Sequence, residues 1–257
     1  MIQQIHGGYV KSEFHNSVTT IEFFHPQGNS LPLKILEELA QSIHHAGNDE
    51  ETKLIVLRSA GEKVFCSGAS FDELSSIQNA EQGLQFFTGF AQVINAMRIC
   101  TKFIIARVQG KCVGGGVGLA AAADYAIATK DADIKLSELA IGIGPFVVGP
   151  AVERKIGVSA FTQLAIDATM WRDAQWAGRK GLFSEVYPTI EDMDEAIIKL
   201  TSTLAHSSPH AMKEMKKIFW KGTEHWDKLL LERAAISGTL VLSSFTKNAI
   251  EKFKAKK

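Results

Sequence analysis

Three consecutive glycines, Gly114, Gly115 and Gly116, stand between an apolar, β-branched run (Phe103 to Val108) and a stretch of small and apolar residues, Val117 to Ala123. Glycines remove the Cβ atoms that would block close approach of another group. The first amides of a helix have no internal partner, and the dipole there favours negative charge. The stretch is therefore suited to holding an anion, or a carbonyl oxygen that becomes one. A P-loop needs Gly-Lys-Ser/Thr, and Gly118 is followed by Leu119, so that reading fails. Gly116, Gly118 and Ala121 fit the dinucleotide pattern GxGxxA only loosely, well past the end of the strand and in mid-chain. An oxyanion hole built from backbone amides is the third reading, and a glycine-lined packing contact without ligand is the fourth. Phe65 to Leu74, FCSGASFDEL, supports the third: it is a second strand-to-helix turn with a glycine at its bend. If neighbouring parallel strands carry both turns, their amides converge at the carboxyl ends of the sheet, where α/β sites lie.

The elements that must position these turns follow from apolar periodicity. Val18 to Phe24 and Lys53 to Leu57 read as strands, and Leu31 to His45 as a helix with Pro32 in its first turn. Phe103 to Val108 is a buried strand followed by a turn at Gln109-Gly110-Lys111; Tyr125 to Ala128 and Ile134 to Leu136 are shorter strands. A helix starts near Asp72, and Ala80 to Ile99 forms a longer one, whose Phe86, Phe87 and Phe90 are core residues or the wall of an apolar site. Strand, glycine turn and helix thus recur near 54–74 and 103–123, the pattern of stacked units. Gly142-Ile143-Gly144-Pro145 interrupts the pattern. Val147 to Ile156 and Ser159 to Asp167 read as helices joined at Gly157, Arg172 to Arg179 as another, and Phe183 to Tyr187 as a last strand. From Glu191 the chain reads as helix almost to its end, with boundaries near Ser207-Ser208-Pro209, Gly222 and Gly238. The five lysines from Lys247 on read as a solvated face.

The bulk properties exclude several classes. The 257 residues suffice for one large domain, and 46% hydrophobic with 22% charged residues is ordinary for a soluble chain. Lys+Arg and Asp+Glu balance at 28 each, so a nucleic-acid partner is not expected. No apolar run suggests a membrane span, and the first residues lack a signal-peptide pattern. Cys66, Cys100 and Cys112 lack metal-type spacing, and a reducing cytoplasm is the expected location. His206 and His210 are four apart, but Pro209 lies between them and no metal is expected.

The motifs, taken together, resemble those of the crotonase superfamily, the enoyl-CoA hydratases and isomerases. FCSGASFDEL is similar to that family's FxAGADxKEL turn, and VQGKCVGGGVGLAAAADYAIAT to its glycine-rich stretch. Leu136 to Pro145, LSELAIGIGP, resembles its third signature, and Asn29 its N-A-L segment. The resemblance implies an α/β fold: a crotonase-like spiral of ββα units over residues 1–190, and a C-terminal helical region over 191–257 that trimerises. It implies an acyl-CoA substrate, with coenzyme A as part of the substrate and no further cofactor, and a homotrimer or dimer of trimers. Matched residue by residue, the oxyanion amides fall on Ala69 and Gly115, and the substrate-binding positions on Ser67, Gly68, Gly114 and Phe146. Losing one oxyanion donor typically costs about 2.7–4 kcal/mol of transition-state stabilisation.

The carboxylates are where the chain departs from the family. Hydratases of the family carry two glutamates; the first position is Gly118 here, and the second, Glu138, is present. Two carboxylates can hold a water and move two protons. One carboxylate can take a proton from one carbon and return it to another. The resemblance therefore implies isomerisation of 3-enoyl-CoA to 2-enoyl-CoA with Glu138 as the single acid/base. The alternatives are a hydratase, for example of the methylglutaconyl-CoA type, and a non-catalytic acyl-CoA-binding or scaffold protein. Ser70 replaces the usual aspartate and Asp72 the usual lysine, so the usual contacts to the CoA phosphates are not expected, and Lys111 or C-terminal lysines of a neighbouring subunit are the candidate substitutes. Trp171 joins the three phenylalanines and Phe146 as a candidate for the acyl tunnel.

Overall fold

The computed structural model describes residues 3–5 and 7–254. An N-terminal meander, β1 (Gln3–Ile5), β2 (Gly8–His15) and β3 (Val18–Phe24), pairs antiparallel. Helix α1 (Leu33–Asn48) follows and buries Ile35, Leu36, Leu39, Ala40 and Ile43, the face its spacing marked out. Three units then repeat. In the first, β4 (Leu54–Ser59) and β5 (Val64–Cys66) lead to α2 (Phe71–Ser76) and α3 (Ala80–Ile99). In the second, β6 (Phe103–Val108) and β7 (Lys111–Val113) lead to α4 (Gly115–Ala122). In the third, β8 (Tyr125–Thr129) and β9 (Ile134–Lys135) lead to a 3₁₀ turn (Leu139–Ile141) and α5 (Gly149–Ile166).

The first strand of each unit enters a seven-stranded sheet of order β1-β2-β3-β4-β6-β8-β10, and the second enters a three-stranded sheet of order β5-β7-β9. Neighbouring units pair in parallel in both sheets. This is the expected spiral of ββα units. Parallel strands covered on both faces read as continuous apolar runs, and β4, β6 and β8 show why. Ile55, Leu57, Ile104, Ala106, Ala126 and Ala128 face the main core. Val56, Ile105 and Ile127 face the opposite way and meet Met193 and Ile197.

The chain continues through α6 (Ala174–Arg179) and β10 (Glu185–Tyr187) to four helices: α7 (Ile190–Ala205), α8 (Pro209–Phe219), α9 (Trp226–Leu240) and α10 (Ser244–Lys254). The C-terminal region is helical, as expected. The break expected at Gly157 is present as a non-helical kink inside α5, although the first half starts at Gly149 rather than Val147. Gly238 is not a helix boundary. It lies inside α9 against α3, and the chain turns later, between Leu240 and Ser244. Two segments that read as turns, around Lys111 and around Phe65, contain the strands β7 and β5. No single described helix is long and apolar enough to cross a membrane.

Candidate active site

The turn between β5 and α2 is held from behind by Asn29. This residue is buried at a φ of 54°, where asparagine is tolerated better than most side chains. Its amide donates to the carbonyls of Ala60 and Val64, both at 2.8 Å, and its Oδ1 accepts from the His25 amide at 3.1 Å. Two residues on, the Leu31 amide donates to the Gly68 carbonyl at 2.8 Å and the Leu31 carbonyl accepts from the Ser70 amide at 3.4 Å. In this parallel bridge Gly68 and Ser70 face Leu31, so the Ala69 amide between them points the other way. Ser70 then caps α2 by accepting from the Glu73 amide. Serine does this as well as aspartate, so the departure from the family pattern at this position leaves the turn intact.

The second turn lies against the first. Gly68 has a φ of 84°, and a Cβ there would stand 2.9 Å from the Val113 carbonyl and 3.3 Å from the Gly115 nitrogen. Only glycine lets the two backbones meet so closely. Gly115 opens α4, where its amide has no intrahelical acceptor. At the far end of α4 the Lys155 ammonium donates to the carbonyls of Ala123 and Asp124 at 2.9 and 3.1 Å, complementing the negative end of the dipole. Ala69 and Gly115, one from each turn, line the same cavity.

Glu138 stands at the start of the 3₁₀ turn and reaches back to these backbones. A Cβ on Gly114 would lie 2.9 Å from its Oε1, so this glycine, at a φ of 52°, admits the carboxylate. Its Oε2 is buried with no hydrogen-bond partner. Burial raises its pKa to about 7, against a smaller opposing pull from its own backbone amide. Gly118, where hydratases of the family place a second glutamate, faces Val148: a Cβ there would stand 2.7 Å from the valine Cβ. The space in front of Gly118 is filled by the side chain of Val148, which also lines the cavity that holds Glu138.

An inner cavity of about 60 Å³ contains these groups. Ser67, Gly68, Ala69, Gly114, Gly115, Glu138 and Phe146, all expected at the site, line it. Among the described residues, Glu138 is its one carboxylic acid, and no lysine, arginine or histidine lines it. Phe87 and Phe90 also line it, whereas Phe86 is a core residue packed edge-to-face against both. Sequence reasoning missed Leu74, Val148 and Ser237, the last from α9 and without any local signal. Trp171 is not in the inner cavity. It lines an outer cavity of about 650 Å³ that shares Ser67, Ala69, Phe71, Val113, Ser137 and Ile141 with the inner one.

Lys135 also lines the outer cavity, its ammonium 4.4 Å from the Trp171 ring centre, with Lys111 5.1 Å from the same ring. Burial, and then Lys111, holds Lys135 below its ordinary pKa. Neither lysine makes an ion pair among the described residues. Asp72, at the family's lysine position, accepts from the Gln27 side chain at 2.7 Å. The side chain of Lys254, and Lys256 and Lys257, lie outside the described residues. Cys66, Cys100 and Cys112 are buried free thiols whose pKa values burial pushes up, that of Cys66 to about 12, so they are poor nucleophiles. His206 bonds the Ser202 carbonyl at the end of α7.

A model of the family described as Enoyl-CoA hydratase/isomerase matches residues 13–253. The peroxisomal Delta(3,5)-Delta(2,4)-dienoyl-CoA isomerase of Arabidopsis thaliana is 26% identical over 211 residues, covering 76% of this chain and 74% of that protein. The mitochondrial 3-hydroxyisobutyryl-CoA hydrolase of Mus musculus is 29% identical over 216 residues; these are 78% of this chain but only 55% of that longer protein. The crystal structure of an enoyl-CoA hydratase from Bacillus halodurans has the same fold, with a TM-score of 0.87 at 21% identity over 95% of this chain and 99% of that one. The spiral, the paired glycine turns and the extent of the family match agree: the chain belongs to the enoyl-CoA hydratase/isomerase family, within the crotonase superfamily.

Proposed function

We propose that the protein isomerises a 3-enoyl-CoA thioester to the 2-enoyl-CoA, with Glu138 as the single acid/base. One observation carries this reading: among the described residues Glu138 is the only carboxylic acid on the inner cavity wall, and Val148 fills the space where a second would project. The Glu138 carboxylate takes a proton from C2. The C–H electron pair moves into a dienolate, and the charge on the thioester oxygen is met by the amides of Ala69 and Gly115. Glu138 then returns the proton to C4 and the double bond ends at C2–C3. Substrate and product are isomers, so no co-reactant is needed and coenzyme A remains attached throughout. A carboxyl held near 7 suits both halves of this transfer, because catalytic groups work best near the operating pH.

Coenzyme A is assigned to the outer cavity. Lys135 and Lys111 stand in for the lysine replaced by Asp72, and Trp171 offers a ring face for the adenine. A homotrimer or dimer of trimers is included in the proposal, with Met215, Ile218 and Phe219 exposed on α8 as apolar surface to cover. Hydration of a 2-enoyl-CoA is the second reading; it has no second carboxylate to hold the water. A binding protein without chemistry is the third.

The test is incubation with 2- and 3-enoyl-CoAs, with products identified by mass and double-bond position. Conversion of a 3-enoyl to a 2-enoyl thioester without mass change is the expected result. Addition of water to the 2-enoyl thioester, with no isomerisation, would establish the hydratase instead. Binding with no conversion of either class would leave a binding protein.

A further inference from the structure

We propose that the inner cavity admits only a short acyl chain, because a backbone contact between α3 and α9 closes its far end. This rests on the acyl-CoA reading above and adds the substrate's length class. A water-sized group needs about 10–15 Å³ of internal void. The inner cavity, at about 60 Å³, therefore has room for only a few such groups. The outer cavity is about ten times larger, which matches the bulk of coenzyme A rather than of a chain.

The walls are fixed by packing. Leu74, Phe87, Phe90 and Val148 are all buried and surround the inner space. Phe86 backs Phe87 at 5.3 Å and Phe90 at 6.1 Å between ring centres, both edge-on, so neither ring can swing towards the core. Behind them α3 and α9 touch backbone to backbone. A Cβ on Gly83 would stand 2.6 Å from the Gly238 carbonyl oxygen, and one on Gly238 would stand 2.6 Å from the Leu84 amide nitrogen. This contact carries Ser237, the neighbour of Gly238, into the cavity wall, where it is 1% exposed. A long alkyl chain would have to displace a phenyl ring or force apart helices whose backbones already touch.

Saturated acyl-CoAs cannot isomerise, so their binding tests length independently of the reaction. Calorimetry with butanoyl-CoA and decanoyl-CoA should show the butanoyl thioester bound at least tenfold more tightly. Phe87→Ala should shift the decanoyl-to-butanoyl ratio at least tenfold towards decanoyl. Leu74→Ala opens the same wall from α2 and serves should Phe87→Ala fail to fold. Equal or tighter binding of decanoyl-CoA by the unaltered protein would overturn the proposal, as would a ratio unmoved in a folded variant. Turnover of 3-enoyl-CoAs of the same lengths separates the two claims. Selective butanoyl binding with no isomerisation at any length would sink the reaction and leave the length class standing. Isomerisation best at ten carbons would sink the length class alone.

Discussion

Burial holds the Glu138 carboxyl at about 7 instead of the ordinary 4.5, and this has two measurable consequences. The base must be ionised to take the first proton, so kcat/KM should rise with pH through about 7 and then level; a profile flat from 5 to 9 would remove Glu138 from that role. The same shift costs stability. A pKa raised on folding means that the native state binds more protons than the unfolded state between 4.5 and about 7. The associated stability is complete below the lower value, is lost as pH rises through the upper one, and stays lost above it. At pH 8 the loss is up to about 3 kcal/mol. Glu138→Gln should therefore unfold at higher urea than the unaltered protein at pH 8, by up to that amount, with the difference shrinking towards pH 4.5. Its turnover should fall at least about 100-fold, the usual contribution of a positioned acid/base. A variant that keeps its turnover would show that the proton moves elsewhere. Lys135→Ala should instead raise KM for the CoA thioester with kcat little changed, since the lysine lines the outer cavity and not the inner one that holds Glu138. A fall in kcat with KM unmoved would refute that assignment.

At the scale of elements, the site is two short turns braced by a loop. Asn29 links that loop to both ends of the β4–β5 connection, through Ala60 and Val64, while Leu31 fixes which way the Ala69 amide points. Asn29→Ala removes both side-chain donors and leaves a non-glycine residue at positive φ. The expected loss is about 2–4 kcal/mol, read by urea denaturation. Turnover should fall as well, because the Ala69 amide loses its orientation; a stability loss with unchanged kcat would show that the turn holds without Asn29. Much of this arrangement is legible in the sequence, because glycine clusters and apolar runs have direct physical meanings. The strands β5 and β7 are harder to read: at three residues each they are too short to show alternation. Gly238 reads as a helix end because glycine serves both helix ends and close helix contacts, and only the position of α3 distinguishes them. Lys135 reaches Trp171 through the pairing of Ile134 with Arg172, which no local pattern announces.

Across the whole molecule, the C-terminal helices fold back onto the spiral of the same chain. Ser237 of α9 enters the inner cavity, and Phe245 and Thr246 of α10 pack against Gly142 beside the Glu138 turn. Asp124, just past α4, is the main polar anchor of this arrangement. Its carboxylate accepts from the Ile104 amide at 2.8 Å, the Lys216 ammonium at 2.7 Å and the Trp220 indole at 2.9 Å, and Lys216 also donates to the Lys102 carbonyl at 2.8 Å. The side chains of Lys216 and Asp124 are 3% and 6% exposed. A buried pair of this kind adds little over an apolar replacement, but breaking one half leaves a charge without a partner and costs about 3–5 kcal/mol. Lys216→Met should therefore destabilise the protein by about that amount in urea. Combining it with Asp124→Asn should recover some of the loss, since the orphaned charge is gone, but not all of it, because the asparagine oxygen can replace only one of the two carboxylate oxygens that accept from the indole and the Ile104 amide. If the double variant is less stable than the sum of the two single changes predicts, the ion pair is not what makes the single change costly. Catalysis gives a second readout of the same variants. Lys155 holds the carbonyl end of α4 beside Asp124, so a loosened anchor at one end of α4 should weaken the oxyanion amide at the other and lower kcat more than it raises KM.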